Sequence, residues 1–540
     1  MIHTAKQRRV SVSRVIEKTI TIPHALSRRD LLKFAGAAGL TSVAAAALWS
    51  SGAMAQDGAS GTAVGGLGNA ILGLDPHLAN QVGGMCVISY VFEGLYRIEP
   101  ATGDAKAELV DGDIEQVSDL VYRAKIRAGA TFHNGSPLTA QDVAFTYARV
   151  MSTELGSFAA QFLNFLKSVT ATDAQTVELT LNHLPAGLGV LKQRLAMIKI
   201  MSEADTTARS ANEIALAPMG SGPYVLAENL SGERVLLTRH EGYNGALPND
   251  YDSIDLRLIL EPSARVAALR TGQVSAIEEV PYPDLQSLDD AGFETASLQT
   301  FTMSLLEFNC GKAPFNDPRV RQAVLFAIDR DLITQAVFLG NGAPALAYFP
   351  EDHPYYTRPE TVFVRDVEKA KALLAEAGVS NLSFELMVSD QAWILPQGEL
   401  IQASLAEAGI TVTLKPGETE SLYAFVSDAS FEAYLAFTDP SIFSPDPDLL
   451  LRWVFAGTLA RALWHWNTAE TDKMEAMLEA ALQLSDEAEL KAAYAEILEY
   501  AAQQCPAFPL HHRKQPTAWV TDTPGFVALP RTGLSYIQGA

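Results

Sequence analysis

Residues 300–340 read T-F-T-M-S-L-L-E-F-N-C-G-K-A-P-F-N-D-P-R-V-R-Q-A-V-L-F-A-I-D-R-D-L-I-T-Q-A-V-F-L-G, and the architecture of the chain turns on them. Phe301 to Phe308 is short and apolar, with β-branched and aromatic members, and predicts a strand. Asn316-Asp317-Pro318 predicts a helix start, with Asp317 as N-cap and Pro318 in the first turn. Val320, Ala323, Val324, Ala327, Ile328 and Ile333 recur at three- and four-residue intervals, the apolar face of a helix expected to stop near Gly340.

Downstream, the pattern becomes regular. Asp366 precedes a helix over 367–377 closed by Gly378. A strand over 384–388 leads through Trp393 to a helix over 399–408 closed by Gly409. Strands are expected at 410–414 and 433–437. Strand–helix–strand order of this kind builds a mostly parallel sheet covered by helices, whose ligands bind beyond the carboxyl ends of the strands. The last helices, 471–484 and 487–502, have Asp486 as the cap of the second.

Upstream, Val121 to Ile126 alternates as a half-exposed strand. Thr139-Ala140-Gln141-Asp142 reads as a capping box, with Asp142 a helix-start residue and not a catalyst. Asp255 and Arg257 fall on the outer face of a strand over 254–260. Gly220-Ser221-Gly222-Pro223-Tyr224 is no phosphate loop, since no Lys-Ser/Thr pair follows and it enters a strand; its small residues permit tight backbone packing. Leu74-Asp75-Pro76-His77 is a turn, and His77 has no second His at helical spacing to make a metal site.

Taken together these stretches resemble the family 5 extracytoplasmic solute-binding proteins of ABC importers, the dipeptide, oligopeptide and nickel binders. The resemblance is carried by the L-D-P turn with Glu93-Gly94-Leu95, by R-A-G-A-T-F-H-N-G-S-P-L-T-A-Q-D-V-A-F-T over 127–146, by G-S-G-P-Y, by 300–340, and by Cys505-Pro506-Ala507-Phe508-Pro509-Leu510. It implies an α/β, two-lobe periplasmic-binding-protein-like fold of type II, with a central cleft and an extra subdomain in lobe 1. Lobe 1 would comprise 56–302, with the subdomain at about 100–210; lobe 2 would comprise 303–507, and 508–540 would return to lobe 1. The crossings are expected near 303–309 and 503–510.

In peptide-binding members, an aromatic residue and an Asp follow the strand that ends here at Phe437, shortly before a D-P-D turn matched by Asp446-Pro447-Asp448. The resemblance therefore implies that Asp439 meets a solute amine beside Phe437; Thr438 is a further ligand-binding candidate, and Trp393, Phe437 and Phe443 are candidates for aromatic walls that bury apolar parts of the ligand. On the residues alone, Asp439 caps the turn before Pro440. Trp464 and Trp466 are further aromatic candidates that also suit packing. His511-His512 faces opposite ways along a strand, and is expected as a pair of exposed polar tips.

Bulk properties agree. A chain of 540 residues exceeds one core and should divide. Its formal charge is −23, and the first 56 residues hold eight basic and two acidic side chains, which leaves −29 for the remainder. So acidic a body repels phosphate backbones, which excludes nucleic acid as a partner. Ser27-Arg28-Arg29-Asp30-Leu31-Leu32-Lys33 nearly matches the twin-arginine export motif. An Ala/Gly-rich run to Trp49 follows, then Ala53-Met54-Ala55 as a cleavage site. Residues 1–55 thus read as a signal peptide, with translation from a start downstream of Met1 left open. No cysteine follows the cleavage site, so a periplasmic protein without a lipid anchor is expected. Cys86, Cys310 and Cys505 lie far apart and give no disulfide framework. No H-E-x-x-H, G-x-S-x-G or Walker motif points to an enzyme. The reading is a monomeric solute binder, without cofactor or metal, that delivers a peptide or peptide-like solute to a membrane permease. The alternatives are a metal- or haem-chelate binder on the same fold, or a periplasmic hydrolase.

Overall fold

The computed structural model describes residues 61–536, apart from 80, 101, 420, 423–425 and 427. The export signal and cleavage site over 1–55 lie outside the described residues. Among those described, no helix is long and apolar enough to cross a membrane.

Strands β1 (Thr62–Leu67), β2 (Tyr96–Ile98), β3 (Ala105–Ala107), β4 (Glu115–Ser118), β5 (Val121–Lys125), β6 (Leu166–Ala171) and β7 (Thr176–Leu181) come first. They are followed by β8 (Tyr224–Leu230), β9 (Arg234–Arg239), β10 (Ser253–Leu258), β11 (Ala276–Glu278) and β12 (Phe293–Phe308). The chain ends with β13 (Gly342–Pro344), β14 (Ser383–Ser389), β15 (Thr411–Gly417), β16 (Ala433–Thr438) and β17 (Ala507–Val520). One mixed sheet runs β15-β14-β16-β12-β17-β11-β1-β10-β9-β8, with β13 on β17, while β4-β5-β7-β6 form a separate antiparallel sheet. Parallel pairing joins β14 to β15 and β16, and β1 to β10 and β11; the strands around β12 and β17 pair antiparallel.

The long strands β12 and β17 unite the two ends of this sheet. Phe293–Gln299 pairs with Lys514–Val520, and Met303–Glu307 with Ala507–His512. Between these runs the register breaks, so that Thr300, Phe301 and Thr302 stand opposite Arg513 alone. Extra residues on one strand bend it and increase its twist, so the passage between the halves is built as a bend.

Local signals explain the flanking elements. Asp317 caps the helix Pro318–Ala327 through its side chain, and the capping box at Thr139 and Asp142 starts Ala140–Met151. The helix expected to run to Gly340 breaks at Ile328; Asp329 caps a new turn, Arg330–Ile333, and a wider turn over Thr334–Phe338 follows. At Gly220 and Gly222 a Cβ would lie 2.0 and 2.5 Å from the Val91 and Tyr90 carbonyl oxygens, so the G-S-G-P-Y stretch is small because backbone meets backbone there.

Two departures concern polar residues. His511 and His512 are buried, 0% and 5% exposed, instead of standing at the surface. β17 lies inside the sheet with both faces covered, and each ring bonds a carbonyl: His511 Nε2 to Arg330 O at 2.9 Å, His512 Nε2 to Ala347 O at 3.1 Å. Asp255, expected outward, is 3% exposed, with Arg257 Nε at 3.0 Å and Arg234 Nη1 at 3.6 Å balancing its charge.

The core also crosses the chain. Ala63 to Phe92 shares one hydrophobic cluster with Met201 to Ala276 and Phe526 to Tyr536. The four-stranded sheet joins a second, with Phe301 to Leu510. Arg194 of helix Leu188–Ala196 is fully buried in that junction, its Nε 2.8 Å from Asp446 Oδ2 and its Nη2 2.6 Å from Asp448 Oδ2. The D-P-D turn therefore holds a charge network as well as capping the helix Pro447–Phe455.

Candidate functional site

A cavity of about 500 Å³ lies between the two ends of the large sheet. Its walls come from 68–70 and 279–283 on one side and from 390–396 and Phe437 on the other, with Arg513 of the crossing strand at its base. Trp393 and Phe437 meet in this wall with ring centroids 5.9 Å apart, edge to face. The Arg513 guanidinium sits 4.1 Å from the Trp393 ring centroid. Attraction between a cation and an aromatic face is worth about 0.5–2 kcal/mol, more as water is excluded.

Glu279 fixes Arg513. Arg513 Nη2 donates to Glu279 Oε2 at 2.7 Å and to Gln515 Oε1 at 2.7 Å, and Gln515 Nε2 donates to Glu279 Oε1 at 3.1 Å. Burial acts to lower the Arg513 pKa, but Glu279, Tyr282 and Asp439 together outweigh it, and the net shift is upward. Glu279 itself has φ of 52°, left-handed backbone that costs a non-glycine residue on the order of 1 kcal/mol or more. Arg265 offsets that strain: it is 2% exposed and donates to four carbonyls, of Ile259, Leu260, Glu278 and Glu279, at 2.6 to 3.1 Å. Arg513 Nε is buried and, among the described residues, has no hydrogen-bond partner.

The expected site residues are distributed. Trp393 and Phe437 line the cavity together. Thr438 is half-buried opposite Met303 in the ladder, at the end of β16. Asp439 is 5% exposed and lines neither this cavity nor the smaller one described below. Its Oδ2 accepts from Thr302 Oγ1 at 3.0 Å, Thr532 N at 3.2 Å and Thr532 Oγ1 at 3.1 Å, and its Oδ1 from Ser441 Oγ at 2.5 Å. No side-chain bond caps the short Pro440–Ile442 turn. Phe443 lines a smaller cavity, of about 90 Å³, bounded also by the helix Val82–Val91 and by Arg531 to Ser535, and it packs on Phe158 and Trp453. Val82 lines both cavities. Trp464 and Trp466 are each 4% exposed and serve packing: Trp464 Nε1 donates to Val454 O at 2.7 Å, and Trp466 faces Tyr500.

The sequence reading missed Arg513, Glu279 and Arg265. Their only local mark is charge, with Glu279 just after β11, Arg513 within β17 and Arg265 in the helix Pro262–Arg270, and that is too common to single out. His77 meets Arg149 Nη1 at 2.6 Å and Lys199 O at 2.8 Å, a structural role. Among the described residues no group of three or more His, Cys, Asp and Glu side chains is placed to hold a metal.

Two sheet ends joined by neighbouring strands, with a cavity between them lined by an aromatic–cation pair, define a two-lobe solute-binding protein. The chain belongs to the bacterial extracellular solute-binding proteins, family 5, whose model (described as family 5 Middle) matches residues 107–460. It is 26% identical over 477 residues to the peptide transport periplasmic protein SapA of Salmonella typhimurium, covering 83% of this chain and 85% of that protein. It is also 26% identical over 482 residues to the glutathione-binding protein GsiB of Escherichia coli strain K12, covering 86% and 91%. The crystal structure of a dipeptide binding protein from Pseudoalteromonas sp. SM9913, in complex with Met-Leu, superposes with a TM-score of 0.80. That match, at 19% identity over 89% of this chain and 100% of that one, speaks for the fold alone. As a family member, the chain is an extracytoplasmic solute-binding component of ABC import and not an enzyme.

Proposed function

We propose that the chain captures a small peptide-like solute between its lobes by hinge closure and hands it to a membrane permease. The lobes are 56–302 with 513–540, and 303–512, the return being set at the bend and not at 508 because Phe508–His512 pairs with Met303–Leu306; the subdomain at about 100–210 moves with the first. The hinge is the bend at Thr300–Thr302 and Arg513. Closure follows from contacts that exist only when the lobes meet, so the solute shifts a population. Export uses the twin-arginine signal over 1–55, without a lipid anchor, and the protein acts as a monomer with no nucleic-acid partner.

The observation that carries this reading is the cavity wall itself: aromatic rings from one side, a cation and its carboxylate from the other, and a volume of about 500 Å³, within the range of small-molecule sites. Micromolar affinity needs about 8 kcal/mol, and apolar burial supplies about 25 cal/mol per Å². Trp393, Phe437 and Phe443 provide that burial. Asp439 meets the solute's ammonium group beside Thr438. Its carboxylate already accepts four bonds, so the incoming amine takes the place of the Ser441 or Thr532 hydroxyl. The peptide and glutathione specificities in the names of SapA and GsiB favour a peptide-like solute.

The test is a thermal-shift panel of di- and tripeptides, amino-acid conjugates, sugars and metal chelates, followed by calorimetry. A solute at 100 times its Kd should raise stability by about 2.7 kcal/mol. Stabilisation by chelates and not by peptides would replace the peptide reading; turnover of any solute would replace the binder.

A further inference from the structure

Resting on the solute-binding reading, we propose that Arg531 is an anion-recognition residue of the cleft, so that the solute is an organic acid whose carboxylate pairs with this guanidinium while its apolar body lies against Trp393 and Phe437.

The smaller cavity carries the argument. Three cations line it: Arg97, Lys199 and Arg531. Arg97 is matched by Glu99 at 3.0 Å, and Lys199 has Glu108 at 3.8 Å. Arg531 is half-buried, and among the described residues no hydrogen bond or ion pair reaches its guanidinium. Asp439 is near enough to act on its charge, yet that carboxylate is taken up by Thr302, Thr532 and Ser441 and forms no ion pair with it.

A guanidinium presents five donors in a planar fork that fits a carboxylate with two parallel bonds. To hold one partly out of water with none engaged is unfavourable. Burial accordingly pulls the Arg531 pKa below its ordinary value. The cavity, at about 90 Å³, has room for a carboxylate and a water or two. Ile442 and Phe443 also line it, and Val82 is common to it and the larger cavity. One solute can therefore place an acid group in the small chamber and its body in the large one.

The experiment compares wild type, Arg531→Gln and Arg531→Lys by thermal shift and calorimetry. The probes are Met-Leu and Met-Leu amide, other dipeptides as free acids and amides, succinate, N-acetylphenylalanine and glucose. Expected are binding confined to carboxylate-bearing probes, a loss of about 30-fold or more for acids in Arg531→Gln, and partial retention in Arg531→Lys. The unliganded Tm of Arg531→Gln should equal or exceed wild type, since no protein bond is lost. Preference for peptide acids over succinate and N-acetylphenylalanine assigns the carboxylate to a peptide terminus; the reverse assigns it to a non-peptide acid. Amides binding as well as acids, or acids binding Arg531→Gln as they bind wild type, would overturn the proposal. So would a panel in which no acid binds: a neutral probe that binds then leaves the solute-binding reading standing, and silence from every probe removes both.

Discussion

The Arg513 guanidinium lies 4.1 Å from the centroid of the Trp393 ring, a contact between the crossing strand and the far wall of the cavity. Each of the two residues touches what the other needs: Arg513 is held by Glu279 on one side, and Trp393 by Phe437 on the other. Trp393→Ala removes both the apolar wall and the cation's seat, and should weaken solute binding by about 2–4 kcal/mol. Trp393→Phe should recover about half of that. Titration calorimetry with a solute found in the panel reads the difference; affinity unchanged in Trp393→Ala would take the pair out of the site.

Asp439 predicts an effect on folding as well as on binding. Its carboxylate is buried and accepts four hydrogen bonds, from β12, from the turn after β16 and from the C-terminal segment. Asp439→Ala strands those donors, so urea denaturation without solute should show a loss of about 1–3 kcal/mol. The loss of affinity for amine-bearing solutes should be larger, about 2–5 kcal/mol. A variant as stable as wild type would mean the hydroxyls find water instead.

Arg194 is the centre of a buried network. Asp448 also accepts from Arg452 Nε at 2.9 Å and Nη2 at 2.8 Å, and Arg452 Nη2 reaches Glu479 at 3.3 Å. Burial pushes the Asp446 pKa up; at Asp448 burial does the same, but Arg452 and Arg194 outweigh it and hold the group down. Removing one partner leaves a buried charge uncompensated, so Arg194→Ala should lose about 3–5 kcal/mol. A change below about 1 kcal/mol in the denaturation midpoint analysis would mean the site opens to water at little cost.

The buried histidines set a pH dependence. Burial lowers His511 to about 3 and His512 to about 4, and His353, His133 and His77 each to about 4. An unfolded imidazole titrates near 6.5, so below that value the unfolded chain binds protons that the folded chain refuses. The stability contributed by these neutral rings is complete above pH about 6.5 and is lost as pH falls toward 4, by up to about 3 kcal/mol per ring. Urea midpoints at pH 7, 5.5 and 4.5 should fall steadily. His512→Gln keeps a donor for the Ala347 carbonyl and should flatten the slope; an unaltered slope would mean that His512 is protonated in the fold.

Much of the architecture was legible because its signals are local. Asp317, Asp142 and Asp486 announce helix starts by side-chain bonds within three residues, and Gly378, at φ of 71°, announces a helix end. Trp393 and Phe437, which line the larger cavity, were legible because one follows β14 and the other lies near the carboxyl end of β16, both in the parallel part of the sheet. What failed was alternation, since it presumes one wet face. β17 has none around His511 and His512, and Asp255 is drawn inward by two arginines. What was missed depends on separation: Arg194 meets Asp446 across 252 residues, and Arg513 meets Glu279 across 234. No window along the chain contains both members of either pair.

The central claim is that a solute draws the two lobes together about the bend at Thr300–Thr302 and Arg513. Small-angle X-ray scattering of residues 56–540, with and without the solute that gives the largest thermal shift, measures it. The radius of gyration should fall on saturation and stay at its unliganded value in Trp393→Ala at the same solute concentration. A saturated wild-type protein whose scattering curve is unchanged would contradict the account.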